Sequence, residues 1–172
     1  MIFDSVIETD RLILRCLDFS DAGHLFRLRS DPEYAELFRW KPYTSIEQAY
    51  DRIRRCRDEN TCYVFSVVPK TIGEAVGGLC VWNIDYDNKM AEIGYDLEKE
   101  HRGKGYAQEA CLAVLSFAFN ELKIETVTAF PCVTNQLSIT LLKKLGFECK
   151  GTIKSVMDSG EECEQYDFRL RY

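Results

Sequence analysis

Six consecutive residues, Arg102-Gly103-Lys104-Gly105-Tyr106-Ala107, carry the first chemistry legible in the chain. They follow a strand-like run, Met90 to Leu97, and open a long amphipathic pattern that reads as a helix. A helix start leaves several backbone N–H groups without partners at the positive end of the macrodipole, so a diphosphate fits there. With no Cβ at 103 and 105 the backbone can take positive φ and turn amides toward phosphate oxygens, while Arg102 and Lys104 add mobile positive charge. The same two glycines also suit a plain strand-to-helix turn over a charged surface, so the loop alone leaves two readings open. Two standard nucleotide motifs fail. There is no Gly-x-x-x-x-Gly-Lys-Ser/Thr, and a dinucleotide fingerprint begun at Gly103 needs its third glycine where Gln108 stands.

Glu92 is the candidate base. Ala91, Ile93, Tyr95 and Leu97 alternate with Glu92, Gly94 and Asp96, so the carboxylate points away from the apolar row. In a partly dehydrated cleft its pKa rises and it becomes a better base, directly or through a water. A solvated carboxylate paired with a nearby lysine or arginine is the alternative. Asn135, after Thr134, stands at the start of another helical pattern, where either residue suits a cap. Cys132 and Cys149 are conceivable acyl-carrying nucleophiles, but no histidine lies near them in sequence and buried structural cysteine is favoured.

The elements that must position these groups follow from periodicity. Arg11 to Leu17 is a short β-rich run, and Asp18-x-x-Asp21 starts a helix carrying Ala22, Leu25, Phe26 and Arg29. Pro32 breaks or restarts the chain. Thr44-x-x-Glu47 has capping-box spacing before a helix with Ile46, Ala49, Tyr50 and Ile53 on one face, ended by Asn60. Cys62 to Val68, Ala75 to Ile84 and Met90 to Leu97 form an antiparallel meander. From Gly105 a helix of about four turns buries Ala107, Cys111, Val114, Leu115, Ala118 and Leu122. Ile124 to Phe130 is the fifth strand, parallel to the fourth through a right-handed crossover. Asn135 to Leu145 is a helix with Ser138, Leu141, Leu142 and Leu145 on one face, stopped by Gly146. Two last strands, Phe147 to Met157 and Cys163 to Tyr172, join through Asp158-Ser159-Gly160. The sum is an α+β domain: a mixed, mostly antiparallel sheet of about seven strands with helices on both faces.

With 172 residues, 46% of them hydrophobic, the chain suits one core, and residues 1–172 read as a single domain. Eight cysteines stand scattered without Cys-x-x-Cys, beside only two histidines, which argues against a metal. Most lie in apolar patterns as free thiols would, pointing to a reducing cytoplasm. Met1 to Asp10 holds three acids and no apolar run of signal length, and nothing later approaches a membrane span, so neither export nor a membrane partner is expected. A net charge of −6 argues against direct nucleic-acid binding. An acidic surface could steer a cationic amine, though solubility alone accounts for mild acidity. A monomer or homodimer is expected.

The segment Arg102 to Ala107 resembles the coenzyme A pyrophosphate loop of the GNAT superfamily of N-acetyltransferases, Gln/Arg-x-x-Gly-x-Gly/Ala, which Arg102, Gly105 and Ala107 fill. The opening Thr9-Asp10-Arg11-Leu12-Ile13-Leu14-Arg15, the strand Ala91-Glu92-Ile93-Gly94-Tyr95, and Asn135-x-x-Ser138 running to Leu145-Gly146-Phe147 extend the resemblance over nearly the whole chain. Together they look like the branch containing ribosomal-protein alanine N-acetyltransferases. The resemblance implies acetyl-CoA as co-substrate, no metal, and splayed fourth and fifth strands. In the gap, backbone groups of Tyr95 and Leu97 hold the pantetheine, with Asn135 bonding the same region. Many members place a tyrosine acid seven residues after that Asn; here Leu142 stands there, and the resembled branch has a serine at the position of Ser138. Ser138 thus becomes the candidate acid, with helix-to-cofactor clearance as its other reading. Peptide planes of the fourth strand polarise the thioester carbonyl.

The aromatic segment Leu37-Phe38-Arg39-Trp40-Lys41-Pro42-Tyr43 borders the acceptor site in that branch, with Trp82 as a floor. A loop pinned to the core by Phe38 and Trp40 explains it equally well. The expected activity is direct acetyl transfer to a primary amine in a ternary complex, with protein N-terminal amines as one acceptor class. A small amine such as a polyamine, amino acid or aminoglycoside is the alternative acceptor, and an acyl-CoA sensor without turnover the alternative function.

Overall fold

The computed structural model describes residues 6–38, 40–58, 62–157 and 159–172. In chain order these form β1 (Ile7–Glu8), β2 (Leu12–Cys16), α1 (Ala22–Ser30), α2 (Pro32–Phe38), α3 (Ile46–Asp58), β3 (Tyr63–Pro69), β4 (Gly77–Asp85), β5 (Met90–Leu97), α4 (Tyr106–Asn120), β6 (Thr126–Ala129), α5 (Gln136–Lys144), β7 (Glu148–Val156) and β8 (Glu162–Arg171). The strands build one mixed sheet in the order β1-β2-β3-β4-β5-β6-β8-β7. The eighth strand, beyond the seven expected, is β1. Its two residues pair antiparallel with β2 and are too few to show an alternation in sequence.

Local signals account for the helix starts. The Asp18 side chain accepts from Ser20 N–H, and Asp21 returns a bond to the Asp18 amide, so the Asp18-x-x-Asp21 spacing works as a reciprocal cap. Pro32 restarts the chain rather than breaking it, standing at the first position of α2 where its missing N–H has no helical acceptor to lose. The cap expected from Thr44 and Glu47 sits one residue later: Thr44 and Ser45 N–H groups both donate to the Gln48 side chain. Arg39, Asn60 and Asp158, named above as loop, helix stop and turn, lie outside the described residues.

The meander is antiparallel throughout. β5 then pairs parallel with β6 at Met90↔Thr126, Ala91↔Val127 and Glu92↔Thr128, and the pairing goes no further. Past Glu92 the two strands part, as the family resemblance implies. Leu12, Phe65, Leu79 and Ile93 pack with Cys111 and Val114 of α4 on one face of the sheet. Val64, the neighbour of Phe65, turns to the other face with Leu17 and meets Ala22, Ala49 and Ile53 of α1 and α3. Each large side chain buried in this way contributes roughly 1.5–3 kcal/mol.

Two of the eight cysteines stand apart from the rest. Cys132 and Cys163 are paired, their Cα atoms 6.4 Å apart, while Cys16, Cys56, Cys62, Cys80, Cys111 and Cys149 stand outside that pair. The cause is a short bridge between Cys132 and Gln165, with Val133 N–H donating to Glu164, which lays the chain after β6 against β8. The sequence separation of 31 residues gave no hint of it.

Candidate active site

Gly103 and Gly105 adopt φ of +75° and +82°, so both need the left-handed backbone that only glycine enters freely. Nothing lies within 4 Å of where a Cβ at Gly103 would stand, so the approach to the backbone there is open. Gly105 is the N-cap of α4 and offers no side-chain partner, leaving the first-turn amides of Tyr106 and Ala107 without a capping acceptor. These are the features an anionic diphosphate requires.

The loop is held by groups the sequence reading passed over. Arg11 Nη1 donates to the Lys104 carbonyl at 2.8 Å, and Arg11 Nε donates to Glu109 on the first turn of α4 at 2.7 Å. Thr9 Oγ1 and the Arg11 amide donate to the other Glu109 oxygen at 2.6 and 2.9 Å. Burial pushes the Glu109 carboxyl up, but the bonds from Thr9 and Arg11 prevail and hold it below its ordinary value. The opening Thr-Asp-Arg motif thus clamps the cradle.

Arg102 already has partners within the chain. Its guanidinium does not stand free for phosphate: Nε donates to the Leu97 carbonyl at 3.2 Å, and the group lies 4.5 Å over the Tyr34 ring. An aromatic face from α2 outcompetes solvent for it. Lys104 is exposed and remains the mobile cation of the loop.

On β5 the Ala91 carbonyl faces β6, where Thr128 Oγ1 donates to it at 3.2 Å. By the two-residue repeat of a strand, the backbone groups of Ile93, Tyr95 and Leu97 turn to the same edge, beyond the last β6 partner. Of these, the Leu97 carbonyl is already taken by Arg102.

Across the gap, Asn135 is buried and caps α5, its Oδ1 accepting from Ser138 N–H at 3.1 Å. The Asn135 amide nitrogen donates to none of the described residues, so capping leaves its donor face available. Ser138 Oγ meets the Tyr95 hydroxyl at 2.8 Å. That contact was invisible in sequence. Leu142 is fully buried in the core, so no hydroxyl enters the gap from its position.

Glu92 stands opposite Trp82 on β4 and Thr128 on β6, at the point where the strands part. Burial pushes its carboxyl above the ordinary carboxylate range, and hydrogen bonds from Asn83 and Trp82 only partly oppose this. Asn83 Nδ2 donates to Glu92 at 2.9 Å from a bulge in β4, its own φ at +46°. Among the described residues no lysine or arginine pairs with Glu92.

A cleft of about 950 Å³ joins Glu92, Tyr95, Asn135 and Ser138 to Phe38, Trp40, Tyr43 and Trp82. Leu97 and the loop from Arg102 to Ala107 lie outside that cleft, at the α4 end. The aromatic segment is packed into the core and lines the cleft as well. Trp40 is buried with Leu28, Tyr34 and Ala35 and stacks on Phe38 at 4.8 Å, and the same rings form the cleft wall. Among the described residues no group of three or more His, Cys, Asp or Glu is placed to hold a metal, and no helix is long and apolar enough to cross a membrane.

Comparison with known proteins bears on this geometry. The family profile described as "Acetyltransferase (GNAT) domain" matches residues 11–148. The chain is 37% identical over 169 residues to the uncharacterized N-acetyltransferase p20 of Bacillus licheniformis, covering 95% of this chain and 94% of that protein. It is 23% identical over 141 residues to the spermidine N(1)-acetyltransferase of Vibrio cholerae, covering 82% and 81%. Among solved structures, RimL, a ribosomal L7/L12 alpha-N-protein acetyltransferase in complex with coenzyme A, superposes with a TM-score of 0.86 over 97% of this chain and 98% of that one, at 19% identity.

Proposed function

Because the chain belongs to the GNAT acetyltransferase family, we propose that it moves the acetyl group of acetyl-CoA onto a primary amine by direct attack in a ternary complex, with Glu92 as base and Ser138 as acid. It is an acetyl-CoA-dependent N-acetyltransferase. The co-substrate supplies an activated thioester. The residues of this chain must hold it, make the amine neutral and protonate the sulfur that leaves.

The observation that carries the reading is the parting of β5 and β6 just beyond Glu92. It leaves backbone donors and acceptors of Tyr95, and the amide of Leu97, facing a gap that opens at one end on the α4 cradle and at the other on the cleft. Gly103, Lys104, Gly105, Tyr106 and Ala107 bind the diphosphate there, while Arg102 shapes the loop from behind. The edge of β5 holds the pantetheine, and the free amide of Asn135 donates to it. The same peptide dipoles polarise the thioester carbonyl.

An alkylamine with pKa near 10 costs about 4 kcal/mol to deprotonate at pH 7. A carboxylate raised by burial accepts that proton more readily than a solvated one. On the other side of the gap Ser138 donates to the departing thiolate. Serine alone is a weak proton source, and the Tyr95 hydroxyl bonded to it polarises the donor. Phe38, Trp40, Tyr43 and Trp82 border the acceptor. A protein N-terminal amine is the acceptor class favoured here, by analogy with the ribosomal-protein enzyme of the same fold; the relative named for spermidine keeps small amines as the alternative. The reading places the protein in the cytoplasm, as a monomer or homodimer forming one domain.

Incubation of the purified protein with acetyl-CoA and a panel of peptides, polyamines and aminoglycosides, following free thiol, tests it. Amine-dependent thiol release is expected. Release no faster than the amine-free background across the panel would overturn the proposal.

A further inference from the structure

Four basic side chains line the cleft, against the sign of the whole chain. Arg29, Lys41, Arg52 and Arg55 line it in a protein of net charge −6. Glu92 and Asp96 line the same cleft, so carboxylates and guanidinium groups share it. Arg29 is engaged, stacked 3.6 Å from the Trp40 ring centre. The arginines of α3 divide sharply. Arg54 pairs with Asp51 and Arg57 with Asp18, whereas Arg52 and Arg55, three residues apart on the cleft side, have no acidic partner among the described residues.

Arg52 is half-buried, and its electrostatic neighbours are Tyr43 and the thiols of Cys56, Cys62 and Cys80. A guanidinium partly removed from water without an anion is a cost that a bound anion would relieve. Its place relative to the base follows from strand register. Cys80 lies opposite Gly94 and Trp82 opposite Glu92, so Cys80 and Glu92 are diagonal neighbours on one face, roughly 7 Å apart. Arg52 neighbours Cys80, so a group carried beyond an amine seated at Glu92 runs along this face toward the wall that holds Arg52 and Arg55.

We propose that the acceptor is a primary amine that also carries a carboxylate, the amine seated at Glu92 and the carboxylate at Arg52 and Arg55. Two acceptors carry both groups: a peptide with an acidic side chain in its first two residues, and a free acidic amino acid with its distal carboxylate. A polycation such as spermidine is disfavoured by the same wall. The inference rests on the acetyltransferase reading for the amine and on the α3 arginines for the anion.

The test compares short peptides with acidic, neutral or basic residues at the first two positions, together with free glutamate and spermidine. Turnover is read by thiol release, and equilibrium binding by calorimetry with CoA present. Wild type is expected to prefer the acidic peptides, and Arg52→Gln with Arg55→Gln to lower kcat/KM for them by about tenfold while leaving neutral peptides within about twofold. Preference for glutamate over the peptides assigns the carboxylate to a free amino acid, and the reverse to a peptide; both support the subsite. Equal binding of acidic and basic peptides, or an acidic preference unchanged in the double variant, overturns it. Selective binding of acidic peptides without thiol release would instead sink the transferase reading and leave the anion subsite standing.

Discussion

The hydroxyl oxygens of Tyr95 and Ser138 lie 2.8 Å apart, joining β5 to α5 across the gap in which the thioester is proposed to sit. Burial pushes the Tyr95 phenol far above its ordinary value, and the bond to Ser138 only partly offsets this. Tyr95 therefore stays protonated through the working pH range and serves as a fixed donor. Ser138→Ala is expected to lower kcat by about tenfold or more with little change in acetyl-CoA affinity. Tyr95→Phe should produce a smaller loss, and the double variant no more than Ser138→Ala alone, because the tyrosine acts through the serine. Additive losses in the double variant would show that the two hydroxyls act independently.

The clamp of Thr9 and Arg11 on Glu109 makes a different prediction. Glu109→Gln removes the charge that gathers three donors and leaves Arg11 less firmly on the Lys104 carbonyl. Arg11 is half exposed, so the loss in stability should be below about 1 kcal/mol. The loop it positions should suffer more. KM for acetyl-CoA is expected to rise severalfold with kcat nearly constant, measured at saturating acceptor. A variant with unchanged KM for acetyl-CoA would mean that the cradle holds its shape without the clamp.

Acid stability should depend on Asp21. Burial pushes its carboxyl up, but both Arg15 nitrogens at 2.7 Å, the Asp18 amide and Ser66 Oγ outweigh that and hold it below the ordinary value. A carboxyl depressed by folding stabilises fully above its unfolded value, near 3.9, and that contribution is lost as pH falls through the lower folded value. Asp21→Asn should cost about 3 kcal/mol at pH 7, the low end for a broken buried pair because Arg15 is partly solvated. Urea titrations at pH 7 and in strong acid check this: the gap between wild type and variant should narrow as the acid limit is approached.

What the sequence made legible was local or periodic. The stripe of α4, the alternation of β5 and the cap at Asp18 each follow from spacing along one segment, and each stands in the structure. The parallel pairing of β5 with β6 followed from the crossover rule. The features that were missed depend on residues far apart in the chain. Tyr95 counted only through its backbone, because its hydroxyl finds a partner only once α5 lies across the gap. The contact of Arg102 with the Tyr34 ring could not be read from the loop motif, because that ring comes from a distant helix. Arg52 and Arg55 look like any solvated arginines in a charged helix until Arg54 is seen to pair with Asp51 and Arg57 with Asp18. Cys132 and Cys163 are brought together by the bridge between Cys132 and Gln165, which neither segment's own pattern reveals.

The central claim is that Glu92, its carboxyl raised by burial, takes the proton of an amine attacking acetyl-CoA. The most direct measurement sets pH-dependent turnover beside calorimetric acetyl-CoA binding, for wild type and Glu92→Gln. Wild-type kcat should rise with pH through a value above the ordinary carboxylate range, since the base works only when ionised. Glu92→Gln should lose that limb and about 100-fold in kcat while binding acetyl-CoA as tightly as wild type. A variant that keeps both the rate and the limb contradicts the account.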